Sequence, residues 1–215
     1  MSVKYPRTPH LPFSCSVASD DKTIKDSDLA FLMSGVPLVV TEKMDGGNLT
    51  MTSTEFHGRS LSSTSNPWDT PAKALWATIR HDIPEGWRIT GESMHARRSV
   101  SYEGLASPFL VFGVWDADNN LLSWDSMVEW TELLGLTLVP LLYRGNDWKA
   151  AISAWSSNLN DDISEGFVVR LDDLIPYDEF GTKVAKYVRA NHVRTTAAWR
   201  NRDDFALNTY APVSQ

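Results

Sequence analysis

The spacing of apolar positions changes period several times along the chain, and each change predicts an element. Val36 to Val40 is a short apolar run, read as a buried strand that leads straight into Thr41-Glu42-Lys43-Met44-Asp45-Gly46-Gly47. Asn48 to Thr52 alternates in polarity as a second strand should, and Glu55, His57 and Gly58 then read as a polar turn. Thr70-Pro71 starts a helix with proline at its first position, and Ala72, Leu75, Trp76 and Ile79 recur at helical spacing until Pro84. Trp87 to Thr90 and the nearly all-apolar Phe109 to Trp115 read as strands, and Asp118-Asn119-Asn120 turns the chain. Met127, Trp130, Leu133 and Leu134 mark an amphipathic helix; Trp148, Ala151, Ile152 and Trp155 mark another, with Asp147 as its cap. Between them lies the apolar run Thr137 to Tyr143, and Phe167 to Arg170 and Val184 to Val188 close the sequence of strands. Strands mixed irregularly with helices predict an α+β domain rather than a regularly alternating parallel sheet. One domain is expected over residues 1–205, with 206–215 as a loosely held tail.

Composition narrows the class. The 215 residues are 42% hydrophobic, enough for a sizeable core. The one cysteine, Cys15, excludes an internal disulfide, and no cysteine or histidine pair has zinc-ligand spacing. No stretch is apolar enough to cross a membrane, so a cytoplasmic protein is expected. A net charge of -7 argues against coating nucleic acid by bulk attraction. Acidic residues crowd Asp116 to Glu132 and Asp161 to Glu179, whereas Lys183, Lys186, Arg189, Arg194, Arg200 and Arg202 form a basic stretch, so a basic edge on an acidic body is the expectation.

Candidate chemistry begins at Lys43-x-Asp-Gly. A lysine that attacks phosphorus must first lose its proton, which costs roughly 4 kcal/mol near pH 7 for a free side chain. Burial, neighbouring cations or a bound metal can lower that cost, and the end of a buried strand is a suitable place. The glycines after Asp45 allow a backbone to approach a ligand. By composition such a motif arises by chance in about one chain of this length in twenty, so it needs company. Glu165-Gly166-Phe167-Val168-Val169-Arg170 supplies some: a carboxylate at a strand start could hold Mg²⁺, and Gly166 would leave room for phosphate or ribose. Lys186, on the strand Val184 to Val188, could neutralise charge on a pentavalent phosphate, with Lys183 and Arg189 close by. Glu92, after Gly91, can accept from a ribose hydroxyl, and Phe112 can stack on a purine. Arg59 offers a fork suited to phosphate or ribose. The nine tryptophans sit mostly at helical core spacing and imply no cofactor. No nucleophile elbow, Walker-type loop or dinucleotide glycine turn occurs.

In order, Lys43-x-Asp-Gly, Arg59-Ser60, Gly91-Glu92, the Phe112 strand, Glu165-Gly-x-Val-x-Arg and Lys186 resemble the collinear motifs of the covalent nucleotidyltransferases. Tyr5-Pro-Arg-Thr-Pro-His-Leu-Pro, Val39-Val-Thr-Glu-Lys-Met-Asp-Gly and Val184-Ala-Lys-Tyr-Val-Arg-Ala-Asn-His-Val bring the resemblance closest to the small bacterial and phage RNA ligases. It covers the chain from about Tyr5 to Trp199. The resemblance implies an adenylyltransferase domain of mainly antiparallel sheets flanked by helices, with ATP in a groove between them. Lys43, Lys186 and Glu165 would be catalytic. Glu42, Lys43, Arg59, Glu92, Phe112, Glu165 and Lys186 would surround ATP, with Glu165 on the metal. Lys43 would take AMP, pass it to a 5′-phosphate RNA end and let a 3′-hydroxyl displace it, with Mg²⁺, or Mn²⁺ in its place, neutralising phosphate charge. A monomer acting in RNA repair, with end-healing proteins as possible partners, is expected. The Lys-x-Lys that ends the series in many relatives is replaced by Lys186 flanked by Val184 and Val188, leaving Arg189 as the substitute cation and Lys183 as a weaker one. A GTP-using capping-type guanylyltransferase and a non-catalytic RNA-end-binding protein are the rival readings.

Overall fold

A computed structural model describes residues 3–60, 66–158, 164–190 and 206–212. Arg194, Arg200 and Arg202 of the basic stretch lie outside them. In chain order the elements are α1 (Asp26–Leu32), β1 (Leu38–Lys43), β2 (Gly47–Met51), β3 (Phe56–Gly58), α2 (Thr70–Ile79), β4 (Arg88–Ser93) and β5 (Phe109–Trp115). After these come β6 (Asn120–Leu121), α3 (Trp124–Leu133), β7 (Thr137–Leu138), β8 (Leu141–Gly145), α4 (Trp148–Asn158), β9 (Gly166–Leu171), β10 (Ile175–Pro176), α5 (Phe180–Lys183) and β11 (Val184–Val188).

The strands form two sheets, one of four in the order β11-β9-β1-β8 and one of seven in which β10-β6-β5-β4-β2-β3 is the continuous path. Every pairing between these strands is antiparallel except the short β5–β7 contact. The expected α+β class, antiparallel sheets flanked by helices, is the observed one. β1 belongs to the small sheet and β2 to the large one, so the three residues Met44, Asp45 and Gly46 carry the chain from one sheet to the other.

Alternation along β1 explains the layering. Val39 joins the core that Ala72, Trp76 and Ile79 of α2 and Met127 of α3 build with the large sheet, whereas Leu38 and Val40 join Leu32 of α1, Ala151 and Trp155 of α4, and Phe167 and Val169 of β9. Burial on both faces is why Leu38-Val39-Val40 reads as a continuous apolar run. At 25 cal/mol per Å², each such side chain contributes about 1.5–3 kcal/mol.

The helix over 70–79 forms with Pro71 in its first turn, as its spacing requires. Asp147 caps α4, its carboxylate accepting from the amides of Lys149 and Ala150 at 2.8 and 3.1 Å. The apolar run Thr137 to Tyr143 divides at Pro140 into β7, in the large sheet, and β8, in the small one. Two expectations are overturned. The polar turn through Glu55, His57 and Gly58 is the edge strand β3, paired with β2 from Met51↔Phe56 to Leu49↔Gly58. The tail is not loosely held through 206–212: Ala206, Asn208 and Thr209 exchange backbone hydrogen bonds with Arg97, His95, Tyr102 and Leu105, and Asn208 is buried. The Asn208 side chain donates to the Met94 carbonyl at 2.7 Å and accepts from the Tyr102 amide at 3.0 Å, a bridge no hydropathy pattern reveals.

Candidate active site

A cleft of about 970 Å³ lies between the facing sides of the two sheets. That is at the upper end for a small-molecule site, with room for a nucleotide. Register decides who lines it. Lys43 pairs with Gly166 across β1 and β9, and Val168 pairs with Lys186 across β9 and β11, so Lys43, Val168 and Lys186 share one face of the small sheet. Opposite them, Asn48 pairs with Glu92, and Glu92 with Leu110, whose parity Phe112 shares. Lys43, Arg59, Glu92, Phe112, Glu165 and Lys186, far apart in sequence, all line this one cleft. Tyr5 meets the edge of Phe112 at 5.0 Å, fixing the ring against the N-terminal segment.

Lys43 Nζ donates to Glu165 Oε2 at 2.6 Å, with side chains 25% and 9% exposed. Burial works against the ammonium charge, but Glu165, Glu92 and Asp45 outweigh it, so the pKa is raised. Of the expected routes to a cheaper deprotonation, burial is outweighed here: Glu165, Glu92 and Asp45 hold the amine charged. Glu92 is pushed up to about 7 by burial, opposed by Lys43 and Arg98, and its Oε1 accepts from the Gly46 amide at 3.2 Å. Lys186 shifts the other way. Burial lowers its pKa, Asp21 opposes, and Lys43 and Arg59 add repulsion.

Several motif residues serve the frame. Asp45 Oδ2 accepts from the amides of Ser99 and Val100 at 2.8 and 2.9 Å, and its own amide donates to Tyr102 Oη at 3.0 Å, tying the crossing between sheets to the loop that the 206–212 segment also holds. Gly46 leaves no room for a side chain: a Cβ there would lie 2.4 Å from the Ser93 carbonyl and 2.7 Å from Glu92 Cγ. Gly166, at φ +156°, would drive a Cβ to 2.0 Å from the Tyr187 carbonyl, so it admits β11 rather than a phosphate, which corrects the reason expected for it. Glu42 also borders the cleft, although it alternates to the face of β1 opposite Lys43. Burial pushes its pKa up to about 7, with a hydrogen bond from Ser164 opposing.

Arg189 and Lys183 are turned to protein rather than to a phosphate. The Arg189 guanidinium is buried, donating to the Ser164 carbonyl at 2.6 Å and to the Ala190 carbonyl at 3.2 Å, while its amide donates to the Glu165 carbonyl; it braces the start of β9. Lys183 pairs with Glu179 one helical turn away. Arg170 is buried, brought down to about 10 by desolvation, and donates to the Leu122 and Asp173 carbonyls. Sequence reasoning missed His10 and Asp21, which stand beside Lys186. Polar residues in a proline-rich N-terminal segment carry no periodic signal.

This fold and site define a class. The family model for RNA ligases matches residues 36–188, and the chain belongs to the RNA ligase family. It matches no curated protein sequence. Among solved structures it is similar to a Naegleria gruberi RNA ligase mutant with ATP and Mn, at 17% identity and TM-score 0.55, covering 87% of this chain and 61% of that one. It is also similar to an archaeal ATP-dependent RNA ligase, at 17% identity and TM-score 0.57, covering 86% of this chain and 48% of that one. Likeness at this identity establishes the fold, and the chain spans only about half to three fifths of those proteins' length.

Proposed function

We propose that the protein is an ATP-dependent RNA ligase that works through a covalent lysyl-AMP on Lys43. The observation that carries this is the pairing of Lys43 with Glu165 on the floor of a nucleotide-sized cleft, with Glu92, Phe112 and Lys186 on the walls. Lys43 Nζ gives up a proton to solvent water and attacks the α-phosphorus of ATP; the N–P bond forms, the α–β phosphoanhydride breaks, and pyrophosphate leaves with the electron pair. AMP then passes to a 5′-phosphate RNA end, and a 3′-hydroxyl displaces it. Phe112 stacks on adenine, Glu92 takes a ribose hydroxyl, Lys186 faces the α-phosphate, and Arg59 reaches ribose or RNA.

A divalent cation fits this arrangement. Glu165 offers hard oxygen ligands, which suit Mg²⁺ or Mn²⁺ bound jointly by a carboxylate and nucleotide phosphates. When bound, it would neutralise phosphate charge and offset the carboxylate field that keeps Lys43 protonated. A cytoplasmic role in RNA repair, as a monomer beside proteins that heal ends, completes the proposal. No helix among the described residues is long and apolar enough to cross a membrane.

Labelled ATP and GTP offered separately test the reading. Label that stays with the denatured protein is expected from α-labelled ATP and Mg²⁺, and absent from GTP; labelling by GTP alone would favour the capping-type reaction, and labelling by neither the non-catalytic one. Sealing of end-labelled nicked, hairpin and single-stranded RNA then identifies the substrate.

A further inference from the structure

Lys186 is held by a wall that the matched segment 36–188 does not include. Residues 9–15 run beside β11: the Lys186 amide donates to the Pro9 carbonyl at 2.9 Å, the Leu11 amide to the Lys186 carbonyl at 2.8 Å, and the Cys15 amide to the Val188 carbonyl at 2.9 Å. His10 is 1% exposed, and both ring nitrogens have partners, Asp21 Oδ2 at 3.0 Å from Nε2 and Ser14 Oγ at 2.8 Å from Nδ1.

Burial favours a neutral His10, and with it the contacts allow one arrangement; a charged ring would instead donate from both nitrogens and turn the Ser14 hydroxyl to the Val188 carbonyl at 3.4 Å. An ionised carboxylate only accepts, so Nε2 carries the proton toward Asp21, Nδ1 accepts from the Ser14 hydroxyl, and Ser14 Oγ accepts from the Val188 amide at 2.9 Å. Asp21 Oδ2 is also held by the Ala18 amide at 3.1 Å, while Oδ1 faces Lys186 Nζ at 3.7 Å. The contacts close a ring, Lys186–Asp21–His10–Ser14–Val188, whose ends both lie on β11. One carboxylate oxygen is fixed by two donors, and the other is left to a lysine at a loose distance. That geometry confines the ammonium yet leaves it able to move onto a phosphate.

We propose that Asp21, fixed by His10 and Ser14, is a positioning residue that aims Lys186 into the cleft for adenylate transfer. The proposal rests on the ligase reading above. Asp21 borders the cleft itself, and the role proposed for it is exerted through Lys186. Ordinary surface pairing is the competing account, but an exposed pair would not have a buried histidine and a main-chain amide fixing its carboxylate.

A double-mutant cycle tests it, using full-length protein, α-labelled ATP and single-turnover lysyl-AMP formation. Asp21→Asn is expected to slow the reaction by about 10- to 100-fold, the scale of a misplaced catalytic group, at unchanged melting temperature. In the Lys186→Met background the same substitution should change the rate by less than about 2-fold, because the residue it positions is gone. Ser14→Ala breaks the ring from its other side, should cost less, and should also lose its effect in that background. It carries the test if Asp21→Asn fails to fold. Equal losses with and without Lys186, or no loss in its presence, overturn the proposal. Absence of lysyl-AMP in the unmutated protein would instead overturn the ligase reading.

Discussion

The two cleft lysines stand on adjacent parts of one sheet and face the same space, yet their surroundings push them in opposite directions. Lys43 has Glu165 at 2.6 Å, with Glu92 and Asp45 near, and its pKa rises; Lys186 has burial, one carboxylate at 3.7 Å and the repulsion of Lys43 and Arg59, and its pKa falls. Burial alone cannot separate them, since both lose water. The number and distance of carboxylates decide the sign. An amine surrounded by carboxylates keeps its proton more tightly, whereas burial and cationic neighbours loosen it at Lys186 despite Asp21 and Glu165.

The largest test of that difference is substitution by arginine, which keeps charge but cannot serve as a nucleophile near neutral pH. Lys43→Arg can still pair with Glu165, so its melting temperature should stay close to that of the unmutated protein, while protein-bound AMP falls by about 10⁴-fold or more. Retained labelling would remove Lys43 from the chemistry. Lys186→Met should slow lysyl-AMP formation by about 10²- to 10³-fold, the scale of losing one transition-state charge contact, and Lys186→Arg should recover part of the loss. Equal failure of Arg and Met at position 186 would mean that Lys186 does more than supply charge.

How much of this could be read in advance follows from where each residue sits. Lys43, Glu92, Glu165 and Lys186 are legible because each rides on or beside a strand whose apolar alternation is strong, inside a short motif with a chemical rationale. Their convergence is not legible, since it depends on the Lys43↔Gly166 and Val168↔Lys186 registers within the small sheet, the Asn48↔Glu92 register within the large one, and the facing of the two sheets. The role of Asp45 was equally hidden: nothing in Lys-x-Asp-Gly shows that its carboxylate accepts from the amides of Ser99 and Val100, a loop more than fifty residues away in sequence. Asp21 left no trace because its partners, His10 and Lys186, follow no period. The docked 206–212 segment was misread since its anchors are backbone hydrogen bonds and one asparagine rather than apolar burial.

A smaller effect isolates which carboxylates act on Lys43. Glu42 is its neighbour in sequence, but on the opposite face of β1, and its own pKa goes from 4.5 to about 7. The folded state therefore binds this proton more tightly than the unfolded one. Stability from it is fully present below about pH 4.5 and is lost as pH rises through about 7. Glu42→Gln cannot ionise, so it should match the unmutated protein near pH 5 and melt higher near pH 8 by about 2–6 °C, equivalent to about 1–2 kcal/mol. A gain of the same size at both pH values would show that packing, not the buried charge, is responsible. The rate of lysyl-AMP formation should change less than at Glu165, because Glu42 does not pair with the amine.

The smallest effect belongs to Lys183, which shares the basic stretch with Lys186 but not its setting. It ends the short helix α5, paired with Glu179, whose side chain is 48% exposed, and such a pair contributes about 0.5 kcal/mol or less. Lys183→Ala should shift the melting temperature by no more than about 2 °C and leave lysyl-AMP formation within about 2-fold. Thermal unfolding and the single-turnover assay measure both. A loss comparable to that of Lys186→Met would mean that the basic edge acts as a whole on the incoming phosphates. A neutral outcome would confine the cation to the one lysine that Asp21 restrains, and would make its placement, rather than the charge of the stretch, the property that matters.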